Sequence, residues 1–294
     1  MTAPLFDRIA IIGYGLIGSS LGRAIKAHGL ANSLAACDSS SAARAAMQRL
    51  GLADLVTADP AEAARGADLV VIAAPLGAYE TIARLIAPAL APGVIVSDVG
   101  SVKTPVMRDL PGLLPDFVTL IPGHPVAGTE NSGPESGFAT LFEGRWCILT
   151  PPAGTDPRAT EKVAALWRAC GSLIEIMEPE HHDKVLAITS HLPHLIAYTI
   201  VGTAANLEED AQSEVIKFSA SGFRDFTRIA ASDPTMWRDV FLNNREAVLE
   251  MLQRFTEDLT ALQRAIRFGE GDTLFDLFSR TREIRRRIID AKQA

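Results

Sequence analysis

The sequence predicts an α/β protein: a doubly wound, mostly parallel sheet followed by an all-helical second half. Three observations predict it. Short, nearly continuous apolar runs alternate with Ala-rich segments of helical period through the first half. A glycine-rich turn joins the first run to the first helical segment. Beyond about residue 178 the strand signals stop and long amphipathic segments take over.

The strand candidates are "RIAIIG" (8–13), "SLAACD" (33–38), "ADLVVIAAP" (67–75), "GVIVSDVGS" (93–101) and "VTLIPGHP" (118–125). Strands covered on both faces lose the polar alternation of a half-exposed strand, and these runs lack it. Segments 16–27, 40–50 and 78–90 carry helical spacing between them. Strand and helix in alternation require a parallel sheet with helices on its faces. "WCILTP" (146–151) and "SLIEIM" (172–177) read as two further strands with a helix between them. Helical segments follow over 180–206, 211–231, 237–267 and 272–292. Pro179 suits the first turn of the first of them. The expected domains are therefore 1–178 and 179–294.

A chain of 294 residues holds two domains comfortably and buries a core without staples. A net charge of −7 attracts neither nucleic acid nor a membrane surface, and an anionic substrate would need local cations. Cys37, Cys147 and Cys170 are too scattered for a disulfide framework or a zinc site, which fits a reducing cytoplasm. No basic, apolar leader precedes the first strand. The most apolar long stretch, 192–205, is too short to span a bilayer. The basic run "RTREIRRR" (280–287) reads as a solvated or inter-subunit helix face.

"IAIIGYGLIGSSLG" places G-x-G-x-x-G at Gly13, Gly15 and Gly18, between a strand and a helix. That context makes the half Rossmann-like. Gly13 permits the tight turn, Gly15 admits a pyrophosphate, and Gly18 lets helix and strand pack closely. The helix N-terminus at Leu16 and Ile17 then offers amides to phosphate. Asp38 closes the second strand, where a carboxylate accepts from ribose hydroxyls and repels a 2′-phosphate. No arginine adjoins it, so NAD is favoured over NADP. Ala74 and Pro75 end their strand in small residues against which the cofactor could lie.

In "TLIPGHPVAGTE" (119–130) a histidine follows a strand at once, and Ser101 and Lys103 leave the preceding strand. Ligands of such sheets bind beyond the carboxyl ends of the strands. His124 and Ser101 thus converge on the nicotinamide position, where an imidazole can take a proton from a substrate hydroxyl. His191 and His194 lie at i and i+3, but no third ligand follows, so no metal is expected. His181 and His182 read as surface residues at a helix start, and Asp233 as the cap before Pro234.

"GHPVAGTE" (123–130), "SHLPH" (190–194) and "GFRDFTRIAASDPTMW" (222–237), in this order after the glycine turn, resemble the prephenate/arogenate dehydrogenase family of tyrosine biosynthesis. The resemblance spans roughly residues 8–265. It implies an NAD-linked oxidative decarboxylation of a cyclohexadienol, prephenate or arogenate, by a homodimer. It implies that His124 is the catalytic histidine on the C4 hydroxyl and that Ser101 bonds to the same group. Arg228 would grip a substrate carboxylate, His194 would stand in the pocket, and Thr129, Glu130 and Ser190 would line or gate it. Trp237 would lie near the substrate, contributed across a dimer interface. Two rivals share the glycine turn. A β-hydroxyacid dehydrogenase would use a helical-domain lysine, Lys184 or Lys217, and a non-catalytic NAD sensor would need none of these side chains.

Overall fold

A computed structural model of the chain describes residues 3–129, 131–206 and 220–290, without the side chains of 288–290. By packing, the chain divides into two units, Met1–Asn244 and Arg245–Ala294.

Six parallel strands form the main sheet of the first unit: β1 (Phe6–Ile12), β2 (Ala31–Cys37), β3 (Leu55–Thr57), β4 (Leu69–Ile72), β5 (Ile95–Asp98) and β6 (Thr119–Ile121). Their order is β3-β2-β1-β4-β5-β6, so the chain reverses direction across the sheet between β1 and β4. Alternate residues of β1 enter opposite cores: Ile9 and Ile11 one, Ala10 and Ile12 the other. Helices α1 (Leu16–His28), α2 (Ser41–Arg49) and α6 (Pro157–Ala169) bury Leu21, Met47 and Trp167 in the first core. Helices α3 (Pro60–Ala64), α4 (Tyr79–Ile86) and α5 (Thr104–Asp109) bury Ala63, Ile82 and Val106 in the second. Both faces are covered, which explains the unbroken apolar strands. β3 was not foreseen, because its three residues at the sheet edge form no apolar run.

The expected strand over 118–125 is two. Pro122 donates no ladder hydrogen bond, β6 ends at Ile121, and β7 (Gly123–Pro125) turns into a second sheet. There β7 pairs antiparallel with β8 (Trp146–Leu149), and β8 pairs parallel with β9 (Leu173–Ile176). His124 therefore sits within a strand, opposite Ile148, rather than in a free loop.

Pro179 opens α7 (Pro179–Leu186) as its first helical residue. A π-turn over Ala187–His191 leads into α8 (Leu192–Ala205), next to Pro193, whose missing N–H interrupts the helical ladder. Continuous over Pro179–Ala205, this 27-residue helix is by length and composition long enough to cross a membrane. The shorter stretch read from the sequence understated it. It nevertheless carries buried His182, Asp183 and His191, each hydrogen-bonded to the protein. After the undescribed residues 207–219, which hold part of the expected 211–231 helix and Lys217, come α9 (Ser221–Thr227), a 3-10 turn Arg228–Ala231 and α10 (Pro234–Asn243). Asp233 caps α10, accepting from the Met236 amide at 2.9 Å.

The expected helix over 237–267 is broken at Asn244, whose side chain serves elsewhere. In the second unit α11 (Arg245–Phe268) and α12 (Gly271–Asp290) form a hairpin through Gly269, at φ +70°. Ile266, Phe268, Phe275 and Phe278 stand exposed on it.

Candidate active site

The glycine turn leads from β1 into α1. Gly13 has φ +93°, and a Cβ there would meet the Ala73 carbonyl and the Ala74 amide at 2.6 Å, so Ala74 and Pro75 leave β4 beside the turn. A Cβ on Gly18 would stand 2.2 Å from the Gly13 carbonyl oxygen. At Gly15 a Cβ would meet no protein atom within 4 Å, and no side chain caps α1. Gly15, at the helix start, lines an open cavity, which fits a pyrophosphate. Asp38 accepts from the Tyr14 amide and the Ser40 amide, both at 2.9 Å. It braces the glycine turn at the rim of a cavity of about 790 Å³. The helix cap is Ser40, not Asp38. One expectation needs correction: an arginine does stand close. Arg44 donates to the Asp38 and Ser39 carbonyls, both at 2.8 Å, having folded back across one turn of α2.

On β7, His124 is 6% exposed. Its Nδ1 lies 2.8 Å from His182 Nε2, and His182 Nδ1 lies 2.8 Å from Asp183 Oδ1. His182 is wholly buried, which corrects its reading as a surface residue; His181 beside it is exposed. Burial alone would raise the Asp183 pKa, but the His182 hydrogen bond and those from Lys103 and Thr104 outweigh it and hold the carboxyl below its usual range. Burial holds both His124 and His182 below the ordinary histidine value, His124 far below it. The tautomers follow. An ionised carboxylate only accepts, so His182 Nδ1–H donates to it. His182 Nε2 then accepts from His124 Nδ1–H, and His124 Nε2 keeps its lone pair. The arrangement makes His124 a base at Nε2.

A buried ion pair anchors this line. Lys103 Nζ is 2.5 Å from Asp98 Oδ2 and donates to the Gly123 carbonyl at 2.7 Å. Asp98 Oδ1 accepts from the Gly123 amide at 3.2 Å. Tyr79 Oη and the Gly100 amide complete the shell of Asp98 at 3.0 and 2.8 Å. Both backbone groups of Gly123 are thus gripped, and His124 is set by its neighbour. Asp183 also accepts from the Lys103 and Thr104 amides at 2.8 Å each, tying α7 to the start of α5.

Residues 21–176 match the family described as prephenate dehydrogenase, nucleotide-binding domain, and residues 178–280 match prephenate dehydrogenase, dimerization domain. The chain belongs to the prephenate dehydrogenase family. It is 44% identical over 281 residues to the cyclohexadienyl dehydrogenase of Zymomonas mobilis, covering 96% of both chains. It is 31% identical over 280 residues to the prephenate dehydrogenase of Bacillus subtilis, covering 95% of this chain and 75% of that one. The solved prephenate dehydrogenase of A. aeolicus, in complex with hydroxyphenyl propionate and NAD+, superposes with a TM-score of 0.88 at 32% identity. That match covers 96% of this chain and 98% of the solved one.

In this prephenate dehydrogenase family member a second group gathers beside the histidine line. His194 stacks on Trp237 with centroids 3.6 Å apart, and its Nδ1–H donates to the Ser190 carbonyl at 2.9 Å. The Arg228 cation lies near enough to push the His194 pKa down, after burial. Trp237 packs on Val102, next to Ser101. Trp237 is 6% exposed within its own chain. Ser101 is half-buried, with its backbone against His191. Asn244 Nδ2 reaches His191 Nδ1 at 3.0 Å and the Asp183 carbonyl at 2.8 Å. Thr129 is exposed and accepts from the Asn131 amide, and Glu130 lies outside the described residues. Lys184 of the rival reading is exposed, and Lys217 is not described. Among the described residues no three metal-ligating groups gather to hold an ion.

Sequence reading missed His182, Asp183, Asp98 and Asn244. Pro179, His182, Asp183, Leu186 and Ala187 form the buried stripe of their helix at i, i+3, i+4, i+7 and i+8. That spacing was present in the sequence and marks His182 and Asp183 as inward-facing.

Proposed function

We propose that this chain catalyses the oxidative decarboxylation of prephenate and/or arogenate with NAD, yielding 4-hydroxyphenylpyruvate and/or tyrosine. The observation that carries the reading is the Asp183–His182–His124 line, which holds His124 by Nδ1 and leaves its Nε2 to accept a proton. NAD, when bound, takes the hydride from ring C4. His124 takes the C4 hydroxyl proton and Ser101 holds that hydroxyl. The C1 carboxylate departs as CO2, its bonding pair completes the aromatic ring as the C4 carbonyl pair passes to oxygen, and that oxygen takes the proton back from His124; aromatisation makes the step effectively irreversible. Arg228 grips a carboxylate through a planar, permanently charged fork. The His194–Trp237 stack offers a flat wall to the ring, and Thr129 and Ser190 line the entrance. Gly13, Gly15, Leu16, Ile17, Gly18, Asp38, Ala74 and Pro75 cradle the cofactor.

The working division is a cofactor part, 1–178, and a substrate and dimerisation part, 179–294. Its support is the pair of family matches, which meet between residues 176 and 178. A homodimer in the cytoplasm completes the reading. The second match bears on the dimer, and three buried free thiols suit a reducing compartment. The test is direct: purified protein with each substrate and each nicotinamide cofactor, following reduced cofactor by absorbance. Turnover with NAD that His124→Asn lowers by about 10²- to 10⁴-fold supports the proposal. Tight NAD binding without turnover of either substrate refutes it.

A further inference from the structure

The cavity over the glycine turn has two walls from distant parts of the chain. Tyr14, Gly15, Asp38, Ser40 and Arg49 line one side, and residues 132–136 line the other. Those later residues belong to a strap that follows β7 and lies back over α1. The strap is seated at three points. Arg23 Nη2 donates to the Pro134 carbonyl at 3.3 Å, and the Phe138 amide donates to Ser20 Oγ at 3.1 Å. Gly137 comes so close that a Cβ would stand 2.1 Å from Ser19 Oγ. A turn at Gly133, φ +88°, with Ser136 Oγ donating to the Ser132 carbonyl at 2.8 Å, shapes its tip. From that tip Glu135, which lines the cavity, pairs with Arg49 of α2, 86 residues away in sequence.

The geometry points to a clasp: we infer that Arg49 and Glu135 close over the adenosine half of the dinucleotide and are binding residues for it. The inference rests on the glycine turn being the dinucleotide site. The cavity volume of about 790 Å³ falls within the roughly 300–1,000 Å³ usual for ligand pockets. The pair joins the wall that carries Asp38 to the strap, and both of its partners line the cavity. Both side chains are mostly exposed, at 62% and 66%, so the pair contributes little to an empty site. An adenosine below it displaces water from one side and strengthens it.

The sign of the Glu135 effect separates a clasp from simple charge. NAD carries phosphates, so removing a nearby carboxylate would tighten binding if only electrostatics acted. A clasp predicts the reverse. Binding of NAD, ADP-ribose and nicotinamide mononucleotide would be measured by calorimetry on Arg49→Ala, Glu135→Ala, the double variant and the reversed pair Arg49→Glu/Glu135→Arg. Each single variant is expected to weaken NAD and ADP-ribose by about fivefold. The double variant should be no worse than either single, the reversed pair should recover at least half of the loss, and nicotinamide mononucleotide should be unaffected. Thermal midpoints should not move, given the exposure of both side chains. Unchanged or tightened binding in Glu135→Ala overturns the clasp, and so does equal weakening of nicotinamide mononucleotide. Wild-type protein that binds no NAD would instead overturn the dinucleotide reading beneath it.

Discussion

Asp183 governs the chemistry of His124 from two residues away in space. Asp183→Asn removes the buried negative charge behind His182 and sets an NH2 against a backbone N–H of Lys103 or Thr104, which now has no acceptor. His182 loses the anion that stabilises positive charge on the histidine line as His124 takes a proton. The expected result is a fall in kcat of about 10²- to 10⁴-fold with NAD affinity retained, read from steady-state kinetics beside calorimetry. Retained kcat would show that the Asp183 charge does not support His124. The same depressed histidines set an acid limit. His191 is held at about 4, chiefly by burial. A buried neutral histidine binds its proton more weakly folded than unfolded, so stability is full above the unfolded value and is lost as pH falls below it. For His191 the window runs from about 6.5 down to about 4, a loss of about 3 kcal/mol. His191→Gln should flatten that part of the curve of thermal midpoint against pH.

The glycine turn illustrates what a single element demands. Gly15 and Gly18 look alike in the motif but face different neighbours. Gly15→Ala should fold with a nearly unchanged midpoint and lose NAD affinity, because its methyl enters open space at the phosphate position. Gly18→Ala should lose both, since its methyl meets the Gly13 carbonyl. Equal effects of the two on stability would contradict this division of roles. The link between β5 and β7 makes a parallel case. Lys103→Met strips Asp98 of its buried partner and frees the Gly123 carbonyl, at an expected cost of about 3–5 kcal/mol in urea unfolding.

Across the whole molecule, apolar side chains remain uncovered in both units. Ile188, Ile200 and Val201 stand out on the long helix, and Phe268, Phe275 and Phe278 on the terminal hairpin. Apolar surface on this scale calls for a partner, and a second copy supplies it in the proposed dimer. Sedimentation equilibrium at micromolar concentration should give the mass of two chains; a single-chain mass would rule the dimer out.

The parallel sheet, the helical second half and the glycine turn were legible in the sequence, because periodicity and glycine placement are local properties. Even the inward face of His182 and Asp183 was written in their helical spacing. The sequence could not show which strand would take His124, because Pro122 ends one strand without saying where the next will pair. Nor could it join Asp183 to His182 and His124, Asp98 to Lys103, or Arg49 to Glu135. Most of these groups are remote along the chain, and the resulting tautomer, ion pair and bridge exist only where packing excludes water and brings the atoms within hydrogen-bonding distance.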